Sequence, residues 1–272
     1  AIAVVNPNRL DDSSDLGNLA AVGVVFLLLV ALTRKLRKVG WFSKKTEPNL
    51  LQWLDLVAIG TICDVVELKG LNRAFVAQGL KVMGLQKNIG VKALREVALV
   101  NSKPNSYQVG FTLGPRINAA GRVGESELGA RLLACDDEMH AINMSNLLDE
   151  QNKLRQQIES SVLEQALSLV NEDNERENVI LVAADNWHPG VIGIVSARLR
   201  EKFNKPACVV SIQNGIGKGS GRSISGFDLG SAIIGAVQSG LLKGGGGHKM
   251  AAGFSIRSDK VSELKKYLND HF

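Results

Sequence analysis

The first half of the chain alternates apolar runs with polar punctuation. Residues 2–5 form a β-branched run that stops at Asn6-Pro7-Asn8, which predicts a buried strand entering a turn. Residues 17–38 predict a helix buried on all sides, with Arg34, Lys35, Arg37 and Lys38 at its C-terminal end, where cations suit the helix dipole. Its apolar run of about 14 residues falls short of the 18 or more that would span a membrane. Residues 53–66 read as a further apolar, strand-like element. Residues 71–100 read as helical segments punctuated by Gly84 and Gly90.

Farther along, Met139, Ile142, Leu147, Leu154, Ile158, Val162 and Leu169 recur mostly three, four or seven apart. That periodicity predicts one long amphipathic helix, or two in series, over residues 136–172. Residues 171–178 are polar and without period, and read as a linker. Beyond them the texture changes: residues 179–183 and 207–212 are β-branched runs, 190–203 read as a helix, and glycines crowd 215–221 and 244–247. The expected fold class is therefore α/β in two domains: residues 1–135, a connecting helix at 136–172, and a smaller domain at 173–272.

The composition of the 272 residues, 45% hydrophobic and 22% charged, excludes fibrous and wholly disordered classes. A net charge of +5 favours polyanionic partners without requiring one. Cys63, Cys135 and Cys208 lie far apart with no CxxC pair, which argues against a disulfide framework or a zinc site and for a reducing, cytoplasmic setting. No signal peptide or membrane anchor is expected.

Several clusters can carry chemistry. In Gly244-Gly245-Gly246-Gly247-His248-Lys249, the glycines read as a loop whose backbone N–H groups can wrap an anion, with His248 and Lys249 adding donors; a flexible surface loop is the plain alternative. Residues 217–223 form a second glycine-spaced stretch, in which Lys218, Ser220, Arg222 and Ser223 suit a phosphate, arginine's fork matching two oxygens. Trp187 and His188 precede a helix N-terminus that can attract anions, although Trp187 can equally cover the core and His188 cap the helix. Asp64 sits in the strand-like segment, where an unpaired charge is costly, so a cap, a salt bridge or a metal ion should accompany it. In Gly114-Pro115-Arg116-Ile117-Asn118-Ala119-Ala120-Gly121-Arg122, the two arginines and Asn118 lie among small residues. Arg116 and Arg122 can clamp phosphates or pair with acids such as Asp64.

GTICDVVEL, GPRINAAGR, WHPGVIGIVSARL, GSGRSISGFDL and GGGGHKMAAGF, in this order, resemble the single-strand-specific exonucleases of the DHH phosphoesterase superfamily. The resemblance implies a DHH catalytic domain with a parallel-type sheet, a long helix, and a DHH-associated domain bearing the glycine–histidine motif. It also implies 5′-to-3′ hydrolysis of single-stranded DNA with Mn²⁺ or Mg²⁺, and single-strand-binding protein and a helicase as partners. By the resemblance Asp64 matches a catalytic, metal-binding aspartate. His248 with Gly245, Gly246 and Gly247, together with Arg222, matches substrate-binding positions, and Arg116 matches a phosphate contact. The family's early Asp-x-Asp motif, a further aspartate and its Asp-His-His triplet have no counterpart here. The expectation is therefore a chain that begins just past the triplet, keeps the groove and loses hydrolysis. The rivals are an oligonucleotide or cyclic-dinucleotide phosphodiesterase of the same superfamily and a non-catalytic single-strand-binding module.

Overall fold

The computed structural model describes residues 3–170 and 177–272. They divide into two compact units, Ala1–Asn152 and Lys153–Phe272, and the fold is α/β. The described residues of the first unit contain helices and no strand: α1 (Ala21–Lys38), α2 (Leu54–Cys63), α3 (Gly70–Gly84), α4 (Ile89–Val97), α5 (Ser106–Gln108), α6 (Gly114–Val123), α7 (Leu128–Leu133) and the start of α8 (Glu138–Ser168). A π-helical segment, Val109–Leu113, joins α5 to α6. The strand expected at residues 2–5 is absent over 3–5, and residue 2 lies outside the described residues.

The strand-like segment at 53–66 is α2. Short apolar runs fit a buried strand and a buried helix equally well. Here the helix is selected by packing: α2 lies against α3 so closely that a Cβ on Gly79 would sit 2.1 Å from the Leu54 carbonyl oxygen. Gly90, expected as punctuation, is buried inside α4. The expectation that α1 is buried on every side also fails. Leu19, Phe26, Leu54, Val57 and Phe75 form one small core around it, whereas Val25, Leu28 and Leu32 point to solvent. An almost unbroken apolar run carries no period from which the covered face can be read.

Residues 138–168 are one helix, α8, and the linker expected at 171–178 lies largely outside the described residues. The second unit holds β1 (Ile180–Asp185), α9 (Ile192–Phe203), β2 (Ala207–Gln213), β3 (Ile216–Arg222), α10 (Leu229–Gln238), β4 (Gly244–His248), β5 (Ala251–Arg257) and α11 (Val261–Asp270). They build one five-stranded sheet in the order β1-β2-β3-β5-β4. β1 and β2 are parallel, joined through α9, and every other pair is antiparallel.

Alternation along the strands gives the sheet two different faces. One packs Leu181, Cys208, Val210, Phe254 and Ile256 against Leu229 and Ile233 of α10 and Leu264 and Leu268 of α11. On the other, Ile180, Val182, Ala207 and Val209 pack on Val195 and Leu199 of α9 and Val162 and Ala166 of α8. That second covering serves β1 and β2. The β3-β5-β4 end of the same face carries small and polar residues instead.

Candidate functional site

The two glycine clusters that read as loops are strands β3 and β4. Glycine is disfavoured in strands unless something needs the space, and here three positions of β3 and two of β4 need it. A Cβ at Gly217 would meet Val210 and Ile256, at Gly219 the Phe254 ring at 2.2 Å, and at Gly221 Leu229 and Cys208. On β4, a Cβ at Gly245 would meet Phe254 and Ile233, and at Gly247 the Ala251 carbonyl oxygen at 2.3 Å. These glycines are core spacers that bring the strands close to the helices beneath.

Their alternates form the opposite face. Register aligns three rows across β3, β5 and β4: Lys218–Ser255–Gly244, Ser220–Gly253–Gly246 and Arg222–Ala251–His248. Cross-strand partners project to the same side, so Lys218, Ser220, Arg222 and His248 rim a floor made of glycine, alanine and serine. A Cβ on Gly244 or Gly246 would meet nothing within 4 Å, which leaves that part of the floor open.

The guanidinium of Arg222 is held in place by its own strand. Its Nη1 donates to the Ser220 hydroxyl at 3.2 Å and to the Gly221 carbonyl at 2.8 Å. Gly193, in the first turn of α9, closes in from the side: a Cβ there would be 3.0 Å from Ser220 Oγ and 3.1 Å from Arg222 Nη2. A helix N-terminus, a fixed arginine, a hydroxyl and bare backbone thus meet at one place, the set of groups that suits a phosphate oxygen.

The remaining candidates of this unit divide. His188 Nδ1 accepts from the Gly190 N–H at 3.1 Å, so the ring fastens the turn before α9, with a neutral ring's proton on Nε2. Trp187 is buried and donates Nε1–H to Gln165, the core-covering role. Ser223 leaves the phosphate-facing set: its buried hydroxyl donates to the Phe227 carbonyl at 2.8 Å and its N–H to the Met250 carbonyl. Gly246 belongs to the open floor, whereas Gly245 and Gly247 belong to the packing side.

In the first unit, Asp64 is not buried in a strand. It is the exposed C-cap of α2, its N–H donating to the Gly60 carbonyl, so solvent rather than a buried partner meets its carboxylate. The next residue, Val65, is held at φ +57 and is 87% exposed. A β-branched residue in left-handed geometry is strained, and this one turns the chain sharply away just after the carboxylate. Arg116 does not pair with Asp64: its Nε donates to Asp149 Oδ1 at 2.8 Å and its Nη1 to the Thr112 carbonyl, tying α6 to α8. Among the described residues no three His, Cys, Asp or Glu side chains gather to hold a metal ion. The residues present therefore do not fit a Mn²⁺ or Mg²⁺ site by themselves, since such ions take several oxygen ligands.

Two features of this unit escaped the sequence reading. Tyr107 and Phe111 lie with ring centroids 4.9 Å apart and planes tilted by 32°, while staying 70% and 72% exposed. Asn118 and Arg122, both exposed, follow Phe111 at close to two and three helical turns and share its face. The second is Asp55, 2% exposed in the first turn of α2, whose burial raises its carboxyl above the ordinary value of 3.8. The i,i+4 aromatic spacing just before GPRINAAGR was the available signal for the first, and a lone acid in an apolar run was the signal for the second.

No helix among the described residues is long and apolar enough to cross a membrane. Residues 176–272 match the DHHA1 domain family. The chain is 39% identical over 281 residues to the single-stranded-DNA-specific exonuclease RecJ of Dickeya dadantii, covering 99% of this chain and 49% of that protein. It is 35% identical over 271 residues to RecJ of Bacillus subtilis, covering 98% of this chain and 33% of that one. The crystal structure of RecJ from Thermus thermophilus in complex with Mn²⁺ matches with a TM-score of 0.79 at 34% identity, over 91% of this chain and 35% of that chain. The Mg²⁺ complex gives 0.80 at 33% identity, over 97% and 39%. The chain thus spans about half or less of the length of these relatives.

Proposed function

We propose, from a chain that is a RecJ homologue along nearly its whole length and carries a DHHA1 domain at residues 176–272, that these residues grip single-stranded DNA for a 5′-to-3′ exonuclease. The observation that carries this reading is the row Arg222–Ala251–His248 beside the N-terminus of α9. Phosphates lie along the small-residue floor, with Arg222 and Ser220 donating to their oxygens and His248 closing the row on β4. The bare backbone at Gly246 and Gly253 lets the sugar-phosphate chain come close. Tyr107 and Phe111 offer unpaired bases a stacking surface, which every base can use whatever the sequence, and Asn118 and Arg122 continue that face.

Asp64, exposed at the end of α2, is the residue we place at the reacting end, as one carboxylate of a divalent-metal site whose other ligands these residues do not provide. When bound, Mn²⁺ or Mg²⁺ would supply the activated water and charge stabilisation of phosphodiester hydrolysis. What the chain's own residues do is bind and orient the strand. The domain reading that accompanies this is a catalytic part at 1–135, a connecting helix and a substrate-binding part at 173–272.

The test is incubation of the purified chain with end-labelled single-stranded DNA and Mn²⁺ while binding is followed by fluorescence anisotropy. Binding that weakens steeply with salt, without release of nucleotides, is the expected outcome. Progressive nucleotide release would refute the assignment of strand holding alone to these residues. Failure to bind the strand at all would remove the groove.

A further inference from the structure

Residues 34–45 read Arg34-Lys35-Leu36-Arg37-Lys38-Val39-Gly40-Trp41-Phe42-Ser43-Lys44-Lys45, six cations with no acid. Six exceeds the +5 of the whole chain, so the remainder is, taken together, slightly acidic. The positive charge of the first unit therefore resides in this one short segment, whereas the second unit is net positive on its own, with 15 Lys and Arg against 12 Asp and Glu.

The structure concentrates that charge further. Four of the cations leave the last turn and a half of α1, and Gly40 at φ +73 turns the chain into the 3₁₀ segment Trp41–Ser43, so that Lys44 and Lys45 follow within the same patch. Lys45 Nζ lies 4.2 Å from the centroid of the Trp41 ring, which remains 53% exposed. Arg37 is the exception: its guanidinium forks onto Glu47, Nε donating to Oε2 at 2.9 Å. Arg34 and Arg37 also line a cavity of about 540 Å³ with Phe26, Val30, Leu50 and Leu51 on its apolar side. Cations at a helix C-terminus complement the dipole within the last turn, but that accounts for neither Lys44, Lys45 nor an open tryptophan among them.

We infer that the patch from Arg34 to Lys45 is a second binding surface for single-stranded nucleic acid, with phosphates on Lys35, Lys38 and Lys44 and an unpaired base against Trp41. An exposed ring set among exposed cations is the combination that holds a strand without reading its sequence. An anionic lipid surface would use the charges alone and leave the tryptophan without a base to stack on. The inference rests on the single-strand reading above, but on different residues in the other unit.

The full chain is titrated with labelled oligothymidylate over a range of salt, beside Lys35→Gln/Lys38→Gln/Lys44→Gln/Lys45→Gln, the same four positions changed to Arg, Trp41→Ala, and Arg222→Gln. The four-Gln variant should lose at least about tenfold in affinity, and its salt slope should shrink by about 0.7 for each phosphate it no longer neutralises, while the four-Arg variant keeps both. Trp41→Ala should weaken oligothymidylate binding and leave an abasic strand of equal length unaffected. Lys35, Lys38, Trp41, Lys44 and Lys45 are exposed and Arg222 is half-buried, and matched melting temperatures exclude misfolding. If the four-Gln variant binds as the parent does, the patch is overturned, and a loss in Arg222→Gln alone then keeps the groove reading. If the patch variant loses affinity and Arg222→Gln does not, the patch stands and the groove reading fails. A parent chain that binds neither strand, or that binds phosphatidylserine vesicles through these lysines but no oligothymidylate, overturns the inference.

Discussion

Arg222 and His248 stand on either side of Ala251 in one cross-strand row and leave the sheet on the same face. Two strand spacings separate their backbones, about 10 Å. A sugar-phosphate chain laid across β5 would pass between them. The guanidinium is already fixed to Ser220 and Gly221, so little of its side-chain freedom remains to be lost on binding.

Arg222→Gln is accordingly expected to weaken single-strand binding about tenfold and to lower the salt slope by about 0.7, with little change in fold. Anisotropy titrations at several salt concentrations measure both. An unchanged slope would mean that no phosphate meets this arginine.

The glycines of β3 and β4 should answer substitution in two opposite ways. Gly219→Ala drives a Cβ to 2.2 Å from the Phe254 ring and should cost about 1–3 kcal/mol of stability. Gly246→Leu enters open space on the floor, so it should leave the melting temperature near that of the parent and reduce strand affinity. Chemical denaturation and anisotropy on the same samples separate the two effects.

Asp55 makes stability depend on pH in a defined direction. Burial raises its carboxyl in the folded protein, so the folded state holds the proton more tightly than the unfolded chain does. Its contribution is complete below about pH 4 and is lost as pH rises through the higher folded value. Asp55→Asn should remove that decline: melting temperatures of parent and variant should lie close together at acid pH and separate in favour of the variant toward neutrality. Parallel curves would show that the carboxylate is accommodated without cost.

Arg116 is expected to act on stability before it acts on DNA. Its half-buried pair with Asp149 joins α6 to α8, and Arg116→Gln should cost about 1.5–3 kcal/mol, the range for a hydrogen bond to a charged group. Phe111→Ala, on the exposed side of the same helical stretch, should leave stability unchanged and weaken binding of a base-bearing strand about tenfold. An abasic strand is the control.

The two units were unequally legible. β1, β2 and α9 follow from β-branched runs and an amphipathic period, and lie within a few residues of where these place them. The strands β3 and β4 did not, because the preference against glycine in strands is a statement about side-chain packing, and the packing that reverses it comes from Phe254, Leu229 and Ile233 elsewhere in the chain. Arg222 and His248 were visible as residues, but their common row depends on pairing with β5, which no local pattern encodes. In the first unit, apolarity marked α1 and α2 as interior elements but left open which face of α1 is covered and whether α2 is helix or strand. The paired Tyr107 and Phe111 went unnoticed because two aromatics four apart look like core until their exposure is known.

β4 is the outermost strand of the sheet, and four of its five residues are glycine. Its outward N–H and C=O groups therefore have only the His248 side chain of their own strand to shield them, and a thinly guarded rim of this kind can recruit an extended segment from another molecule. Lys243 and Lys249 bracket the strand in sequence, and mutual repulsion between those charges on two approaching copies is the guard that remains. Neutralising or screening these two lysines should then favour self-association, with pairs of molecules joined edge to edge through β4 as the form it takes.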